Sequence, residues 1–138
     1  MDSQKKSKSA YNLLTFHNDE DEIVEIVISG EVTKASVTEL TNEVHVIARS
    51  MNARNLLCDI REVKGRLGYA ETYFQVMNTP SFFYNINTVF VDLPKHTDIR
   101  AFHEYTARST GIPFKWFTDP DDGRAWLKTE SKKYKQVR

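Results

Sequence analysis

The spacing of apolar positions along the chain changes several times, and each change marks an element. In the stretch "YNLLTFHNDEDEIVEIVISG", Leu14 and Phe16 alternate with polar neighbours, and an acidic turn follows from Asn18 to Asp21. Such alternation is the mark of a half-buried strand, so this stretch predicts a hairpin. Ile23 to Ile28 form a β-branched run too apolar for one solvated face, which predicts a central strand closed by Gly30. From Thr33 the period lengthens. Val37, Leu40, Val44, Ile47 and Met51 make one apolar stripe of an amphipathic helix, with Glu39, Asn42, Glu43 and Arg49 mostly elsewhere.

The pattern then repeats in alternation. "NLLCDI" predicts a short buried strand, and "REVKGRLG" a loop broken by two glycines. A helix is predicted from about Tyr69 to Asn78, ended by Pro80. "INTVFVD" is the next strand. "TDIRAFHEYTARSTG" is a helix with Thr97 as N-cap and Gly111 just past its C-terminus. "PFKWF" is the last strand, and Asp119 caps a short final helix with Pro120 at its first position. Strands alternating with helices imply right-handed crossovers and a largely parallel sheet. The fold class is therefore α/β: a mixed, mainly parallel sheet of about five strands with an antiparallel edge strand, packed with about four helices.

Composition adds bounds rather than shape. The 138 residues fit one domain, and 40% apolar with 28% charged is ordinary for a soluble protein. No apolar run is long enough to span a membrane. "MDSQKKSKSA" has no apolar segment behind its lysines and does not read as a secretory signal. The lone Cys58 excludes an internal disulfide and fits a cytoplasmic location. The net charge is zero but uneven. Residues 1–10, with Lys5, Lys6 and Lys8, read as a disordered basic tail; 11–128 read as the domain; 129–138, with Lys132, Lys133, Lys135 and Arg138, read as a second basic tail. Basic tails on an acidic body allow peripheral contact with the inner membrane surface, or are simply solvated.

The segment "EIVEIVISGEVTKASVTELTNEVHVIARSMNARNLLCDIREV" resembles the first half of a STAS domain: strand, glycine, long helix, then a strand ending in an aspartate, here Asp59. "GIPFKWFTDPDDGRAWL" is similar to the closing strand and Trp-Leu helix of the SpoIIAA-like family, so the resemblance covers about residues 11–128. It implies the STAS-type fold and a protein-interaction or regulatory role. STAS anti-sigma-factor antagonists carry a phosphorylatable serine where the helix after the Asp-ended strand begins. The matching place here is "GRLGYAET", where Thr72 is the first such hydroxyl and falls about a turn too late. The resemblance therefore implies a module without that phosphoacceptor. At the level of fold alone the group is also similar to CRAL-TRIO domains, which carry hydrophobic molecules under mobile helices.

One stretch invites chemistry. Tyr69, Tyr73, Phe74, Phe82, Phe83 and Tyr84 crowd into "GYAETYFQVMNTPSFFYN". On a wheel of about 100° per residue, the apolar side chains of Tyr69–Asn78 span an arc of roughly 160°, wider than the roughly 100° that one-sided packing needs. Three or four aromatics left outside the core expose on the order of 500 Å². Covering that area yields a gross gain near ~12 kcal/mol as an upper bound. The stretch therefore reads as core filling between helices, as a pocket or membrane-docking surface for a nonpolar ligand, or as a homodimer or protein-partner interface. A short helix flanked by Gly65, Gly68 and Pro80 favours a mobile lid over a cavity that opens and collapses.

The leading expectation is a non-enzymatic carrier or sensor of a nonpolar, lipid-like ligand, with a STAS-like interaction module as the alternative. Tyr69, Tyr73, Phe74, Met77, Phe82, Phe83 and Phe102 are the candidate apolar lining. Arg61, Lys64 and Arg66, beside a helix N-terminus, are candidates for an anionic head group. No cofactor is indicated. His17, His45, His96 and His103 lack metal-ligand spacing, Cys58 reads as a buried inert thiol, and no nucleophile elbow or phosphate loop is present, so no catalytic residue is assigned. "GRLG" follows a strand, unlike the Gly-x-x-Gly loop of a KH module, so nucleic acid is not a partner.

Overall fold

The computed structural model describes residues 10–18 and 20–137, with side chains described as far as Ser131. The basic segment proposed for residues 1–10 lies almost wholly outside the described residues. Strands β1 (Tyr11–Asn18), β2 (Ile23–Glu31), β3 (Asn55–Lys64), β4 (Asn87–Val91) and β5 (Phe114–Phe117) alternate with helices α1 (Lys34–Ser50), α2 (Tyr69–Met77), α3 (Thr97–Ser109) and α4 (Pro120–Val137). The sheet order is β1-β2-β3-β4-β5. The β1–β2 pair is antiparallel and the other three pairs are parallel, as the alternation predicts.

Strand alternation assigns the two faces. Ile26, Ile28, Leu56, Cys58, Phe90 and Phe114 pack toward α1, α2 and α3. Ile23, Leu57, Val89 and Val91 pack against Leu127 of α4. The β2–α1 turn depends on Gly30, whose φ of +93° favours glycine and whose Cβ would stand 2.3 Å from the Ala10 carbonyl oxygen. Thr33 then caps α1 by accepting from the Ser36 backbone N–H at 3.3 Å.

Several boundaries differ from the sequence reading. β3 runs through Lys64, so Arg61 and Lys64 stand on a strand rather than in a loop, with Glu62–Lys64 paired alongside Ser29–Glu31 of β2. A short 3₁₀ turn (Pro94–His96) leads into α3, so His96 takes the cap position and Thr97 is already helical. The aromatic segment Phe82–Tyr84 that follows the predicted helix lies in a 3₁₀ turn (Ser81–Asn85) that buries Phe83 against His45 at 4.6 Å between ring centroids. The last helix is not short. α4 continues past residue 128 to Val137, and Ser131 Oγ accepts from the wholly buried Asn55 Nδ2 at 2.7 Å, tying the helix to the start of β3.

Candidate functional site

On the three-helix side of the sheet the packing is incomplete. A cavity of about 190 Å³ lies between the strand floor, including Leu56, Cys58, Thr88 and Phe90, and a roof of Val37 and Leu40 from α1, Val76 from α2 and Ala107 from α3. A surface groove of about 470 Å³ between α1 and α2 adjoins the cavity, with Val37, Thr41, His45, Leu67 and Gln75 lining both. Two polar ties join the helices across that groove: Gln75 Nε2 donates to Thr41 Oγ1 at 3.0 Å, and Lys34 Nζ pairs with Glu71 at 2.9 Å.

Within this apolar enclosure, polar atoms are few. The Thr88 hydroxyl is buried without a hydrogen-bond partner among the described residues. His103 sits among Phe90, Phe114 and Trp116, and the Trp116 indole N–H donates to its Nδ1 at 3.3 Å. That bond leaves the ring proton on Nε2. Burial drives His103 down to about 4. Burial, then the neighbouring Asp59 carboxylate, pushes the Cys58 thiol up to about 12, so it stays protonated and inert.

His103 sets a pH dependence. The folded ring stays neutral until about pH 4, whereas an unfolded imidazole takes a proton below about pH 6.5. The unfolded chain therefore binds the extra proton between those values, and stability is complete above this window and falls as pH drops through it. Urea unfolding at pH 7 and pH 5 should show a larger loss of midpoint for the wild type than for His103→Gln. Equal losses in the two proteins would refute the assignment.

The outer face of α2 faces solvent. Tyr69, Tyr73, Phe74 and Met77 are 54%, 45%, 62% and 48% exposed, and Tyr105 on α3 is 73% exposed. Tyr69 stacks edge-on against Phe102 at 5.0 Å, joining the two helices under this face. The residues that α2 buries are Thr72 and Val76. Thr72, 2% exposed, is thus also out of reach of a modifying enzyme.

The predicted site residues therefore separate into three groups. Tyr69, Tyr73, Phe74 and Met77 form the exposed face, Phe74 also lines the α1–α2 groove, and Phe102 packs on Tyr69. Phe83 reaches the cavity, while Phe82 packs edge-on against Phe83 with the Arg49 guanidinium 5.8 Å from its ring centroid. The basic group does not assemble into an anion site. Arg61 forms a bidentate pair with Asp59 at 2.9 and 2.7 Å, and Lys64 is exposed at the end of β3. Arg66 donates from Nε and Nη2 to Asp92, from Nη1 to the Val63 and Gly65 carbonyls, and from Nη2 to the Ile60 carbonyl. No guanidinium N–H of Arg66 is left for a head group.

The N-terminus of α2 is occupied as well. Glu71 is held below the ordinary carboxylate range first by its hydrogen bond from Lys34 and then by backbone N–H groups at the start of the helix. Its carboxylate stands where a bound anion would have to sit. Sequence reasoning missed Thr88 and His103, although a lone threonine within the apolar strand "NTVFV" was a readable signal. Among the described residues no group of three or more His, Cys, Asp or Glu side chains is placed to hold a metal ion, and no helix is long and apolar enough to cross a membrane.

A five-stranded mixed sheet of this order, with three helices on one face and one on the other, is a SpoIIAA-like, STAS-type fold. Solved structures bear this out. An anti-sigma factor antagonist from Mycobacterium paratuberculosis is similar with a TM-score of 0.59 and 16% identity, over 85% of this chain and 93% of that one. An uncharacterized protein with a SpoIIAA-like fold from Shewanella loihica is similar with a TM-score of 0.57 and 15% identity, over 86% of this chain and 93% of that one. No family model matches the chain, and no curated protein does.

Proposed function

We propose that this chain is a cytoplasmic STAS-like interaction module that meets another polypeptide through the outer face of α2 and the adjoining part of α3. The observation that carries this reading is the exposure of Tyr69, Tyr73, Phe74 and Met77 on one short helix. Aromatics and methionine are the residue types enriched in protein interface cores. The only charged residue on α2 is Glu71, so this helix brings no cation to draw the face to an anionic membrane. A neighbour in fold is named for antagonism of an anti-sigma factor, which is action on another protein. With Thr72 buried and Glu71 filling the helix start, phosphorylation at that point is not the switch.

A photo-crosslinking residue in place of Phe74, expressed in the native cells, should give a discrete protein adduct. The same residue at Val46, exposed on α1, should give none. Equal labelling at both positions, or co-sedimentation with anionic vesicles in place of a protein adduct, would overturn this reading.

The cavity favours a second reading, a carrier or sensor of a nonpolar ligand with α2 as its movable cover. The ties across the α1–α2 groove are the Gln75–Thr41 hydrogen bond and the exposed Lys34–Glu71 pair, contacts that such a movement can break.

A further inference from the structure

We infer that the cavity beneath α1, α2 and α3 is a binding site for a small neutral molecule, about one ring in size, that carries a single hydroxyl or carbonyl group. The inference rests on the second reading above, that the cavity holds a ligand, and specifies the ligand's class.

Size is the first argument. An apolar cavity of about 150 Å³ takes up benzene, and this one measures about 190 Å³. A ring with one substituent fills it; a long acyl chain does not. Charge is the second argument. Arg66 is the permanent cation on the lining, and all its donors are engaged by Asp92 and backbone carbonyls. An ionised carboxylate entering here would lose its water without gaining a counter-charge.

Polarity is the third. Thr88 faces the cavity with a hydroxyl that has no partner, and its residue is 6% exposed. His103 also lines this part of the cavity, its Nδ1 taken by the Trp116 indole N–H. Both border Phe114: Thr88 is its register partner across β4–β5, and the His103 ring centroid lies 4.6 Å from that of Phe114. One end of an otherwise apolar space thus offers an unpaired hydroxyl. A hydroxyl or carbonyl oxygen on the ligand satisfies that end. The α1–α2 groove supplies the way in.

Titration of the ¹⁵N-labelled protein with phenol, benzene, benzoate and palmitate tests this. Phenol should give saturable shifts at the Trp116 indole N–H and at the amides of Thr88 and Phe90, with benzoate at neutral pH binding at least ten times more weakly. Thr88→Val removes the unpaired hydroxyl without changing side-chain shape, so the variant should fold. It should weaken phenol by roughly 3- to 10-fold and leave benzene unchanged. Phenol and benzene both failing to saturate would overturn the site altogether. Palmitate saturating while phenol stays silent would overturn the ligand class and keep the carrier reading. Phenol binding unaltered by Thr88→Val would overturn the assigned polar end.

Discussion

Asp92→Ala is expected to destabilise the fold by about 3–5 kcal/mol, the range for breaking a buried ion pair by removing one partner. Asp92 is wholly buried at the end of β4. It accepts from Arg66 at 3.0 and 2.6 Å and from the Leu93 backbone N–H at 2.7 Å. Without it, the Arg66 guanidinium keeps its carbonyl contacts but loses its counter-charge. The double variant Arg66→Met/Asp92→Leu removes both charges and should recover part of the loss. Recovery is incomplete because the Ile60, Val63 and Gly65 carbonyls lose their donors. Chemical denaturation of the two singles and the double measures the coupling. A loss below about 1 kcal/mol for Asp92→Ala would show that the pair does not hold the β3–α2 loop against the sheet.

Leu127→Ala is expected to cost about 2–5 kcal/mol, the usual range for truncating a buried leucine. Among the described residues, α4 is the helix that covers the face bearing Ile23, Leu57, Val89 and Val91, and Leu127 is its fully buried member of that cluster. The site cannot easily collapse to refill the void. Gly123 already brings α4 so close that a Cβ there would stand 2.8 Å from Val89 Cγ1. Trp126, packed near Phe117 at 6.3 Å, gives a local fluorescence signal for the same unfolding curve. An unchanged denaturation midpoint would mean that α4 is held by its polar ties, Arg124–Glu25 and Asn55–Ser131, rather than by this side chain.

Strand order and the edge position of β1 were legible because each strand carries its own alternation or apolar run, and because helices between strands force parallel neighbours. β3 looked shorter than it is because Arg61, Glu62 and Lys64 lie beyond the helix-covered part of the sheet, where charge is tolerated on a paired strand. The length of α4 was hidden by its lysines, which read as a tail until Ser131 is seen against Asn55. For α2 the wide apolar arc was real, but an arc says which side is greasy and not which side faces the sheet. Thr72 and Val76 point inward and the tyrosines outward. The cavity could not be read at all, since a void belongs to how Val37, Val76 and Ala107 fail to meet rather than to any one of them.

The division of the sheet, three helices on one side and α4 on the other, also fixes an order of events during synthesis. Every strand leaves the ribosome before residues 120–131 do, so the valines and leucines that α4 will cover stay bare for that interval. Nascent chains stalled just after β5 should be the ones a hydrophobic-binding chaperone holds most firmly, and release should follow once Leu127 has cleared the exit tunnel.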